Sequence, residues 1–232
     1  MDKLWAQLIE VQAAPDPWVV AGSALAALAI VSFTMSWQLS RGLITIAHEG
    51  GHAVMALLTR RKLEGIRLHS DTSGVTLTRG RPNGPGMVLT ALAGYLAPSL
   101  LGLAAAWMTE QGRITLLIWS MLLFLVCMLL LIRNLYGALI LLVTGGAVFA
   151  VSMYSPAEVQ QVVAMVVVWF LLFGGVRPII ELQRKRRRRQ ARDSDADQLA
   201  RLTFLPGGFY VFFFLLVAAA SVVAGAYLMN PL

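Results

Sequence analysis

Residues 42–58 read GLITIAHEGGHAVMALL, an apolar segment interrupted by His48, Glu49 and His52. On a helix, positions i and i+4 share a face, so His48 and His52 present two imidazoles to one point. Two imidazoles so placed suit a zinc ion, and Glu49 between them suits a general base acting on a zinc-activated water. An ionisable side chain at membrane depth costs at least ~2.5–3.5 kcal/mol and marks a functional site by default. Three in five positions need a common cause, and a metal supplies it. The plainer reading, histidines satisfied by one another or by backbone carbonyls, leaves Glu49 unexplained. Gly50 and Gly51 each weaken a helix by up to ~1 kcal/mol relative to Ala, and in exchange admit a neighbouring helix or an extended substrate. Two of the three histidines in the chain belong to this motif. His52 stands eight residues before Arg60, roughly 12 Å of helix from that basic end.

The surroundings are those of a bilayer. Of 232 residues, 58% are hydrophobic and 13% charged, with a mean hydropathy of +0.71. Soluble domains are nearer half apolar and a quarter charged, which excludes a soluble globular protein. The single cysteine, Cys127, excludes an internal disulfide framework and a cysteine metal cluster. Besides 42–58, residues 18–39, 88–108, 114–132, 135–153, 159–176 and 209–229 are uncharged and near the roughly 20 residues of a crossing helix. The expectation is an all-α polytopic protein of about seven transmembrane helices, forming one domain over residues 1–232. Arg133-Asn134 interrupts the longest apolar stretch, as a tight turn or as a polar pair inside the bundle. Residues 1–17 carry Lys3 against Asp2, Glu10 and Asp16, and the apolar run that follows is too long for a signal peptide.

The net charge of +7 is concentrated beside hydrophobic segments, where lipid and topology explain it better than nucleic acid. With a cytoplasmic N-terminus and an outside C-terminus, 17 of the 19 Lys and Arg fall inside, leaving Arg41 and Arg113 outside. Residues 65–80 (GIRLHSDTSGVTLTRG) alternate about a turn at Asp71-Thr72-Ser73-Gly74, predicting a β-hairpin on the cytoplasmic side. The loop 177–208 contains QRKRRRRQAR at 183–192, which reads as a topology determinant and an anchor to anionic lipid. Trp18, Trp107, Trp119 and Tyr154 lie near span ends as an aromatic belt.

The HEGGH helix, the 65–80 segment and AGYLAPSLLG at 93–102 together resemble the site-2 protease family of intramembrane zinc metalloproteases, in its compact bacterial form, from about residue 43 to 206. The resemblance implies zinc on His48, His52 and a carboxylate, with Glu49 as base. It implies that a hairpin pairs with an unwound substrate, which would involve Gly74 and Val75. Residues 93–98 would form a broken helix near the site, and Asn134 would help hold the substrate or the oxyanion. Substrates would be single-span membrane proteins such as anti-sigma factors or signal-peptide remnants.

The third ligand departs from the family pattern, which usually has an Asp in a Leu-Asp-Gly step after an Asn. Here Arg133-Asn134-Leu135-Tyr136-Gly137 matches the Asn-bearing part, but 138–153 contains no Asp or Glu. The preferred substitute is Asp195 in Asp193-Ser194-Asp195-Ala196-Asp197, with Asp197, His69 and Asp71 as further candidates. The competing role for this acidic stretch is a helix N-cap. The leading function is a zinc endopeptidase acting within the membrane. An inactive scaffold of the same fold is the alternative, motivated by the missing Leu-Asp-Gly carboxylate. A small transporter would need more polar residues on the other spans than the sequence offers.

Overall fold

The computed structural model describes residues 10–190 and 193–230; Lys3 and Arg192, counted above for topology, lie outside them. Helix α1 (Pro17–Ser32) opens where Asp16 Oδ1 accepts the Trp18 N–H at 2.8 Å, with Pro17 in the first turn. Phe33 is extended, and α2 (Thr34–Leu58) leaves at 100° to α1. The break leaves terminal carbonyls without helical donors. Arg177 supplies them, donating to Val31 O and to Ser32 O. Glu181 holds Arg177 by accepting from its Nε at 3.2 Å, and also accepts from Trp37 Nε1 at 2.9 Å.

This break corrects the expected span over 18–39, which is not one straight helix. Among the described residues, five helices are long and apolar enough to cross a membrane, six crossings if the bent α1–α2 pair counts as one, against about seven expected. Hydropathy registers apolar length and cannot register a bend at one extended residue.

After α2 come strands β1 (Lys62–Leu68) and β2 (Gly74–Arg79), an antiparallel pair close to the predicted hairpin. The register slips between Leu63 and Gly65, and Gly65 has φ +144, a conformation that favours glycine. Then follow α3 (Pro85–Glu110), α4 (Ile114–Leu131), α5 (Leu135–Tyr154), α6 (Ala157–Arg187), the short α7 (Asp195–Leu202) and α8 (Gly207–Leu228). Helix α3 is central, packed on α2, α6, α7 and α8. A Cβ on Gly102 would stand 3.0 Å from Leu172, so the α3–α6 contact is made at small residues. The broken helix expected at 93–98 is instead continuous through the buried Pro98. Pro98 deletes one N–H from the ladder, but packing on four neighbours keeps the flanking turns helical. Helix α5 leans chiefly on α4 and exposes Leu135, Leu139, Leu142 and Val143, an apolar face suited to lipid.

Arg133-Asn134 is a turn at the hairpin end, not a polar pair inside the bundle. The Arg133 N–H donates to Ile66 O at 2.8 Å, and Ile132 forms a parallel bridge with Ile66. At the opposite end, Gln12 N–H donates to Gly112 O at 2.9 Å, and Gln161 Nε2 donates to Ala13 O at 3.0 Å. Helix α8 starts beside α7 at the hairpin end and finishes at Leu228, capped by Met229, which lies in the same apolar cluster as Val20 and Ile114. The described segments at Gln12 and Met229 share one end of the bundle, whereas the charge count expects the termini on opposite sides. Counted as one crossing, the bent α1–α2 pair makes the number of crossings even rather than odd. In a Cys127→Ala background in sealed vesicles, single cysteines at Gln12 and Asn230 should be labelled together by an impermeant thiol reagent. One at Thr72 should be labelled only from the other side.

Candidate metal centre

The centre is assembled where α2 meets α3. A Cβ on Gly51 would overlap Ala97 and stand 2.7 Å from Ala93 O, so this glycine sets how near the two helices come. A Cβ on Gly94 would collide with His52 and stand 2.7 Å from His48 Nε2, so the absence of a side chain there leaves room for both imidazoles. Gly50 faces α4, where a Cβ would be 2.6 Å from Phe124. Both glycines of the motif thus admit neighbouring helices. His52 Nδ1 lies 2.7 Å from Thr90 O; donating its N–H there leaves the Nε2 lone pair directed at the centre. Tyr95 stands edge-on to His48 with ring centroids 4.8 Å apart.

Asp195 arrives from a distant part of the chain. Ser194 is the N-cap of α7, its hydroxyl accepting from the Asp197 N–H at 3.4 Å. That frees Asp195 at the first helical position to turn inward. Its Oδ2 lies 3.2 Å from His48 Nε2 and 3.3 Å from His52 Nε2, which are themselves 3.1 Å apart. Burial works to raise its pKa. The imidazoles beside it, when protonated, outweigh that and hold the carboxyl well below the usual carboxylate range. Two residues on, and so on nearly the opposite helix face, Asp197 pairs with Arg186. The N-cap and candidate-ligand roles weighed for this acidic stretch are thus carried by different residues.

Three donors about 2.0–2.1 Å from one tetrahedral ion stand roughly 3.3–3.4 Å apart, close to the spacing found here. Two imidazole nitrogens and one carboxylate oxygen are also a donor set that zinc accepts. Among the described residues, His48, His52 and Asp195 form the cluster able to hold a metal. His69 and Asp71 stay in the hairpin turn. Asp71 Oδ1 accepts from Ser73 Oγ at 2.7 Å and from Ser73 N at 3.0 Å, which lowers its pKa.

Glu49 points to the hairpin. Thr45 and Glu49, one turn apart on α2, fasten it: Thr45 Oγ1 donates to Thr72 O at 2.7 Å, and Thr76 Oγ1 donates to Glu49 Oε2 at 2.6 Å. Gly74 lies flat on Glu49, where a Cβ would be 2.6 Å from Oε1, while Val75 alternates to the exposed face. Asn134 meets β1: its Oδ1 accepts the Leu68 N–H at 3.1 Å, and its Nδ2 donates to Leu68 O at 2.6 Å. Thr76 and Thr90 were not among the sequence candidates. The alternation of Gly74, Thr76 and Thr78 with Val75 and Leu77 was visible, but not the partner it would face.

A family model described as Peptidase M50B-like matches residues 21–225. The chain belongs to that family. The match covers the motif helix, the hairpin and the segment bearing Asp195, and supports the resemblance to site-2 proteases and a metallopeptidase in general. No curated protein and no solved structure matches this M50B-like chain.

Two substitutions test these placements. Gly94→Ala should weaken metal retention by roughly tenfold or more, read as metal per mole after dialysis against a graded chelator, because the added methyl displaces the imidazoles. Asn134→Leu removes two hydrogen bonds, each worth roughly 0.5–1.5 kcal/mol. Amide exchange at Leu68 should therefore quicken by about tenfold or more.

Proposed function

We propose that this M50B-like protein is an intramembrane zinc endopeptidase that hydrolyses peptide bonds of membrane-spanning substrates. The observation that carries the reading is the convergence of His48, His52 and Asp195 beside Glu49, under a hairpin with one open edge. His48, His52 and Asp195 would hold the zinc, which when bound supplies Lewis acidity toward the scissile carbonyl and makes water more acidic. Glu49 takes the proton as water oxygen bonds to the carbonyl carbon, and returns it to the amine nitrogen as the C–N bond breaks.

A helical substrate shields its peptide bonds and must be extended first. Adding it to a sheet edge satisfies its backbone polar groups while exposing the bond to be cut. The outer edge of β1 is already occupied by residues 132–134, which supports β2, with Gly74 and Val75, as the accepting strand. The role expected for Asn134 changes accordingly, from holding substrate to holding β1. Single-span membrane proteins are the substrate class. The stretches 60–81 and 184–189 and Arg133 gather at the hairpin end, which supports a cytoplasmic reading of that end. Both described chain ends then lie outside, and the basic segment after α6 contacts anionic lipid. The inactive-scaffold alternative drew on the missing Leu-Asp-Gly carboxylate, and Asp195 between the two imidazoles weighs against it.

Protein purified in detergent should carry about one zinc per chain, lost in His52→Ala and Asp195→Ala and kept in Glu49→Gln. All three variants should fail to cleave a single-span peptide that the parent cuts. A folded parent that takes up no zinc, or Glu49→Gln cleaving at the parent rate, would overturn the reading.

A further inference from the structure

The hydrogen bonds around the hairpin give Thr76 two tasks at once. Residues opposite each other in an antiparallel pair either exchange both backbone bonds or direct their N–H and C=O outward. Leu68 is opposite Gly74, and Ile66 is opposite Thr76. The N–H and C=O of Leu68 are both taken on the outer side by Asn134, and Ile66 O accepts from the Arg133 N–H there. These are outward pairs, so the N–H and C=O of Gly74 and Thr76 point to the other, open edge of β2. The Thr76 side chain turns the opposite way from Val75 and Leu77, onto α2. Its Oγ1 lies 2.6 Å from Glu49 Oε2 and 3.1 Å from Glu49 O. A hydroxyl has one proton to give, and the shorter contact, to the carboxylate oxygen, is the one that takes it. Glu49 is buried, with 4% of its surface exposed, so this hydroxyl does work that water does for an exposed base.

We propose that Thr76 is a positioning residue that couples strand addition at the open β2 edge to the orientation of the Glu49 carboxylate. Its backbone lies on the edge that would receive the substrate, while its hydroxyl aims the base. A strand bonded to Thr76 N–H and C=O fixes the torsions that set where the hydroxyl points. The coupling rests on the peptidase reading; the Thr76–Glu49 bond itself does not.

The test compares the parent with Thr76→Val, Thr76→Ala, Thr76→Ser and Glu49→Gln, all zinc-loaded in detergent. The probe is a synthetic single-span peptide whose apolar helix is interrupted by a central Gly-Pro pair. Valine keeps the shape and strand preference of threonine and removes only the donor. Thr76→Val should lose roughly tenfold or more in kcat, with KM within about twofold and zinc content unchanged, and Thr76→Ser should recover most of the loss. Thr76→Ala serves the same comparison if the valine variant does not fold. Turnover at the parent rate in a donor-free variant overturns the proposal.

Infrared spectra separate this result from a failure of the peptidase reading. The Glu49 carboxylate band, identified by its loss in Glu49→Gln, should shift in Thr76→Val and stay in place in Thr76→Ser. If the parent cleaves nothing, the peptidase reading and the coupling fall together, and the shifted band upholds the positioning bond alone. An unmoved band in Thr76→Val overturns that bond as well.

Discussion

The near contact of α2 and α3 at Gly51 and Gly94 is the constraint on which the site depends. Each glycine lies against the partner helix: Gly51 against Ala93 and Ala97, Gly94 against His48 and His52. With side chains at these points the helices would stand further apart and the imidazoles would have no shared space. In a bilayer, helices gain nothing by hiding apolar surface from one another, so such close packing must come from small residues and polar contacts. The helix-propensity cost of the glycines is offset by a contact that larger residues could not make.

A second requirement is that polar groups enclosed in apolar surroundings be satisfied. Thr90 O takes the N–H of His52, Thr76 supplies a donor to Glu49, and Arg177 serves the carbonyls at the α1–α2 break while Glu181 holds it. Each arrangement joins elements far apart in sequence, because in the membrane the partner has to be protein. The same requirement explains the closed edge of β1. Residues 132–134 take up its outward N–H and C=O groups and leave those of β2 as the edge open to another chain.

The motif His48-Glu49-Gly50-Gly51-His52 was legible because helical spacing turns a five-residue string into a shared face. The hairpin was legible from period-2 alternation around turn residues. These are local properties carried by neighbouring side chains, and so is the apolar length that marks a membrane protein. Asp195 could be named as a candidate carboxylate, but nothing near it in the sequence separated an inward-facing acid from a helix cap. Its place follows from how Ser194 caps α7 and how α7 docks on α3 and α8. The carbonyls at the Phe33 bend find their donor in Arg177, more than a hundred residues away. The partner of Thr76 likewise depends on the side on which the hairpin folds over α2. Periodicity and composition determined what each segment is; which segments meet was decided by tertiary packing, because the bonds that fix it join residues with no proximity along the chain.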